Sequence, residues 1–128
     1  MGLRDQKTSE SKRLIRSFVC AWDGIMDVFR HERNFQIHCF FTLAAVTAGI
    51  VFRISAVEWF MITGSIGAVL SLELMNTAIE RTVDLITLES HPLAKAAKDA
   101  AAGAVLIAAV TAVIIGLLIF VPRLLGIF

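Results

Sequence analysis

The chain has 128 residues, of which 57% are hydrophobic, with a formal net charge of +1. A single domain of that length cannot hide so much apolar surface in its own core, which excludes an ordinary water-soluble globule and makes the bilayer the solvent for the excess. A charge balance so near neutral gives no reason to expect a nucleic-acid partner.

Residues 1–8 are polar and read as a frayed lead-in. From Ser9 the apolar residues Leu14, Phe18, Trp22, Ile25 and Phe29 recur every three or four positions, flanked by Arg13, Arg16, Asp23, Asp27 and Arg30. That period predicts an amphipathic helix over about residues 9–34. An apolar stripe with Trp and Phe beside basic residues suits a helix lying in the membrane interface, and packing on other helices is the plainer alternative. Cys20 falls here and Cys39 just beyond; no CxxC or zinc-like spacing occurs, and both read as small side chains on apolar faces. No secretory signal is evident.

Three spans follow, over about residues 35–53, 56–86 and 92–121. The first is short and needs Gln36 and His38 at the headgroups; Arg53 ends it. The second begins with Glu58, read as a solvated outer charge, and Trp59, read as an interfacial anchor. The third is uncharged from Ala100 to Val121, and Pro122 is expected to stop it before Arg123 meets the far surface. Along it Ala100, Ala104, Ala108, Ala112 and Gly116 recur every four residues, a spacing that lets helices approach closely in lipid. The expected fold is therefore all-α and integral to the membrane: a surface helix and three spans in one domain. Seven of the twelve basic residues precede residue 39, and Arg81, Lys95 and Lys98 lie between the second and third spans. The positive-inside rule puts the N-terminus and the 85–98 loop in the cytoplasm and the C-terminus outside.

Chemistry concentrates at the end of the second span. Taking Glu73 as zero at 100° per residue, Asn76 lies at about −60°, Glu80 at about −20°, Asp84 at about +20° and Thr77 at about +40°, all on one face. Ionisable groups at membrane depth cost at least ~2.5 kcal/mol each, so water, a cation or a charged partner must compensate. The following helix, capped by Ser90 or His91 with Pro92 in its first turn, presents Lys95, Lys98 and Asp99 at the same edge, and Glu32 is expected at a similar depth. Carboxylates in excess over cations suit Mg²⁺ carried with a polyanion. Three readings stay open on spacing alone: interhelical salt bridges, an ion path in a non-enzymatic small membrane subunit, and phosphate chemistry. HERNF is not HExxH, and neither GxxxxGK[ST] nor GxGxxG occurs.

The runs ELMNTAIERTVDL (73–85) and HPLAKAAKDAAAGAVL (91–106) resemble the prokaryotic membrane diacylglycerol kinase family, and ERNFQIH (32–38) and VEWF (57–60) resemble its Gram-positive, undecaprenol kinase branch. The resemblance extends from about Arg13 to Pro122. It implies a homotrimeric lipid kinase of the bacterial inner membrane, with cytoplasmic active sites shared between subunits. Glu73 would be the catalytic base. Glu32 and Glu80 would hold the Mg²⁺ that bridges ATP phosphates. Lys98 would steady those phosphates, Asn76 and Asp99 would position reactants, and Arg13 and His91 would lie near the nucleotide. The implied reaction is ATP-dependent phosphorylation of a lipid alcohol, undecaprenol in this branch, with diacylglycerol as the alternative substrate.

Overall fold

A computed structural model describes the backbone of residues 3–127 and the side chains of residues 9–127. It contains four helices, α1 (Leu3–His31), α2 (Arg33–Val51), α3 (Ala56–Ile86) and α4 (Pro92–Leu124). They fall into two units, Met1–Glu32 and Arg33–Phe128.

The first unit is α1. Its backbone is helical from Leu3, so residues 3–8 continue the helix; their side chains lie outside the described residues. Arg30 and His31 occupy the last turn, where cations offset the negative end of the helix dipole, and His31 Nδ1 lies 3.1 Å from Asp27 Oδ1. The helix stops short of the expected residue 34. The Glu32 amide still donates to the Val28 carbonyl, and a new helix opens at Arg33.

In the second unit α2 and α3 form a hairpin closed by a turn at residues 52–55. The Ile54 amide donates to Gly49 and the Arg53 amide to Ile50, with Arg53 left-handed at φ 49°. This is the Schellman arrangement, which satisfies the last carbonyls of α2. Ser55 then caps α3: its hydroxyl accepts from the Glu58 amide, and the Glu58 carboxylate accepts from the Ser55 amide at 2.7 Å. Trp59 is not only an anchor at the surface, because its indole lies over Gly49; a Cβ there would sit 2.8 Å from Trp59 Cη2 and 3.1 Å from Ile54 Cδ1. Gly49→Val should therefore destabilise the protein by about 1–3 kcal/mol, read as a lowered thermal midpoint in detergent. An unchanged midpoint would show that the hairpin relaxes freely.

Helices α3 and α4 pack along their lengths, around a core of Ile54, Ile62 and Ile119 with Trp59, Ile66, Ile115 and Phe120 against it. Two expectations fail at the end where α3 begins and α4 stops. Glu58 is not a lone solvated charge: Arg123 Nη2 donates to it at 2.8 Å, and both side chains are about four-fifths buried. Pro122 does not stop α4, which runs on to Leu124. Proline lacks an amide donor and crowds the carbonyl four residues back, yet the Leu125 amide still reaches Val121, and the Ile127 amide reaches the Pro122 carbonyl.

With 31 residues, α3 is about 46 Å long against a hydrocarbon core of about 30 Å. Measured from Ala56, Glu73 lies about 26 Å along and Asp84 about 42 Å along, the latter past one hydrocarbon thickness. The polar end of α3 therefore extends past the length a hydrocarbon core requires, and the start of α4 lies beside it.

Candidate active site at the α3–α4 end

The polar face of α3 is drawn inward. Glu73 is 3% exposed, Asn76 8% and Thr77 2%, and they are the buried polar or charged residues of the described chain. Helical spacing of three and four residues aligns Glu73, Asn76 and Glu80 on this face. The Asn76 amide nitrogen donates to Glu80 Oε1 at 3.2 Å. Its Oδ1 is buried with no partner among the described residues. An orphaned buried oxygen of this kind costs about 1–3 kcal/mol unless a ligand, ion or water meets it.

Beyond Glu80, α3 ends at Ile86 and α4 begins at Pro92. His91 is the cap: its Nδ1 accepts from the Leu93 amide at 3.2 Å, and Pro92 opens the first turn. Between the two helix ends lies a groove of about 250 Å³ lined by Asp84, Glu89, His91, Lys95, Lys98 and Asp99, among others. Lys98 Nζ donates to Asp84 Oδ1 across the two helices at 2.5 Å. Lys95 pairs with Asp99 one turn further along α4.

Of the residues singled out in the sequence, His91, Lys98 and Asp99 converge on this groove. Asn76 and Glu80 are bonded to each other, and Glu73 is buried one turn deeper on α3. Lys98 meets Asp84 rather than Glu80. Arg13 and Glu32 belong to the first unit: Arg13 is exposed on α1, and its carbonyl accepts from Ser17 Oγ at 3.0 Å, while Glu32 sits half-buried in the break before α2. Sequence spacing offers Arg81, Lys95 and Lys98 as interhelical salt-bridge partners of the carboxylate face without assigning one of them to Asp84. Lys95 and Asp99 are one turn apart on α4, a spacing that could have paired them, whereas Asp84 lies three residues before the 87–91 loop and Lys98 seven after it, so their pairing follows from the register of the two helices and not from spacing.

Three apolar helices, each long enough to cross a bilayer, with a buried carboxylate face running into a lysine-lined groove at one end, define a polytopic membrane protein. The chain belongs to the prokaryotic diacylglycerol kinase family, whose model matches residues 19–120. It is 55% identical to an undecaprenol kinase of Bacillus subtilis over 97% of this chain and the whole of that protein. It is 42% identical to a diacylglycerol kinase of Synechocystis over 97% of this chain and 71% of the relative. With a diacylglycerol kinase of Escherichia coli K12 the identity is 33% over 84% of this chain and 88% of the relative. The protein is thus a lipid kinase of a bacterial membrane.

Proposed function

We propose that the protein transfers the terminal phosphate of ATP to undecaprenol at the inner leaflet. The observation that carries this reading is the 55% identity to an undecaprenol kinase along that protein's entire length. A second reading, diacylglycerol as acceptor, is favoured by the names of the other relatives. Purified protein offered both lipids with ATP and Mg²⁺ separates them. Undecaprenol should be preferred in kcat/KM by about tenfold or more, the ~1.4 kcal/mol that a built specificity site supplies. The reverse preference makes the protein a diacylglycerol kinase, and turnover of neither lipid removes the kinase reading.

In this reading Glu73 takes the proton of the attacking lipid hydroxyl. Its depth on α3, about 10 Å from Glu80 along the helix axis, suits an alcohol held by its tail at the edge of the hydrocarbon. Lys98, freed from Asp84, steadies the phosphates; Asn76 and Asp99 position reactants; His91 and Arg13 lie near the nucleotide. Glu80 and Glu32 would hold a divalent ion. The site's donors fit Mg²⁺: the Glu80 carboxylate and the unpartnered Asn76 Oδ1 are hard oxygens. No group of three or more His, Cys, Asp or Glu converges among the described residues, which suits an ion bringing its remaining ligands as phosphate and water. Bound there, it would neutralise charge on the transferred group.

The N-terminus and groove face the cytoplasm and the C-terminus lies outside. Helix α1 lies on the membrane surface, supported by the joint exposure of Leu14, Phe18 and Trp22 beside its basic residues. The subunits form a homotrimer. A single chain buries only 11–17% of each span, and an apolar groove of about 600 Å³ over Ala109, Ala112 and Gly116 leaves the small-residue face of α4 open.

A further inference from the structure

The charges of the α3–α4 groove are already paired. Three carboxylates (Asp84, Glu89 and Asp99) face two lysines (Lys95 and Lys98). Lys98 is held by Asp84 and Lys95 by Asp99. His91 Nδ1 is taken up as the acceptor of a backbone amide. A site lined in this way offers a bare polyphosphate no unpaired cation and an excess of negative charge. The pairs are nonetheless loose. The side chains of Lys98 and Asp84 are 36% and 47% exposed, and those of Lys95 and Asp99 are 78% and 62% exposed. Pairs so open to water are worth about 1 kcal/mol or less. A ligand that both attracts the lysines and neutralises the carboxylates can exchange them; one that does only the first cannot.

We infer that Asp84, together with Asp99, makes the groove selective for metal-charged nucleotide by occupying the lysines that a metal-free polyphosphate would need. Asp84 is then a specificity determinant acting through Lys98. The inference rests on the kinase reading above, since it takes the groove as the nucleotide's phosphate site. A cation complexed to the nucleotide offsets the freed carboxylates, and the lysines pass to the phosphates. Without the cation, each lysine that leaves its aspartate strands a carboxylate beside a polyanion, and such like-charge contact is costly.

The test is nucleotide affinity, measured by calorimetry on purified protein at low ionic strength, where these pairs are least screened. ATP is titrated with a chelator and, separately, with excess Mg²⁺. Wild type should bind the metal-free form much more weakly. Asp84→Asn should tighten metal-free binding by about fivefold or more, the worth of one exposed pair plus relief of repulsion. Binding of Mg-ATP should move far less, so the ratio of the two affinities narrows. Asp84→Glu should restore the wild-type ratio, which a merely structural role for Asp84 does not require. A ratio unchanged or widened in a folded Asp84→Asn protein overturns the inference. Should that variant not fold, Asp84→Ser, which also releases Lys98, is read the same way. Wild type that binds no Mg-ATP and phosphorylates no lipid removes the kinase reading, whereas normal turnover with an unmoved ratio removes this inference alone.

Discussion

Glu73→Gln should lower kcat by about two to four orders of magnitude, the usual contribution of a positioned general base, while Mg-ATP still binds and the protein stays folded. The three parts of this expectation have separate grounds. Gln has the shape of Glu and fits a site that leaves the side chain only 3% exposed, so the packing of α3 is kept. It carries no charge, so it removes whatever cost the membrane edge imposes on a carboxylate; loss of stability would be the wrong explanation for lost activity. It cannot take up a proton from a hydroxyl, which is the one task assigned to Glu73. Nucleotide affinity should persist because the groove residues lie about 16 Å further along the helix, at the level of Asp84. The comparison is made by single-turnover assay and nucleotide titration on the same preparation. A variant with wild-type kcat would mean that the lipid's proton leaves by another route and that Glu73 is a structural polar residue.

How much of this was legible in the sequence follows from the range of each interaction. Helical period and apolar run length are local, so four helices and three membrane-capable spans were readable from residues three to twenty apart. The polar face of α3 was readable for the same reason: Asn76 and Glu80 are one turn apart and are bonded. His91 and Pro92 gave the start of α4, as local capping chemistry should. Contacts between helices were another matter. Glu58 and Arg123 are 65 residues apart, and nothing near either one shows that α3 and α4 are long enough to bring them level. The packing of Trp59 on Gly49 depends on the left-handed Arg53, a conformation that arginine rarely adopts and that no residue preference announces. Pro122 misled because proline's rule concerns the amide it lacks. In the last turn of a helix the remaining donors already bridge past it. The polar face was legible along α3, and the Lys95–Asp99 pair spans one turn of one helix; the Lys98–Asp84 pair was illegible, since it depends on the register of two helices.

Glu80→Ala should raise the Mg²⁺ concentration needed for half-maximal activity by about ten- to a hundredfold, the range seen when support of a metal site is removed, with little change in KM for lipid. Two effects have to be kept apart. The carboxylate is one of two proposed to hold the ion, so its loss weakens the metal. It is also the acceptor for Asn76 Nδ2 at 3.2 Å, and Asn76 is 92% buried with its Oδ1 already unpartnered. Truncation at residue 80 leaves both polar atoms of that amide unsatisfied, at a cost of about 1–3 kcal/mol in stability. Glu80→Gln separates the terms, because its carbonyl oxygen still accepts from Asn76 while its lost charge still weakens a hard cation. The Gln variant should therefore keep most of the thermal stability and show most of the Mg²⁺ defect. If it behaves as wild type toward Mg²⁺ and only the Ala variant fails, Glu80 serves to hold Asn76 in place. The ion must then be carried by other oxygens, with Asn76 Oδ1 the first to examine.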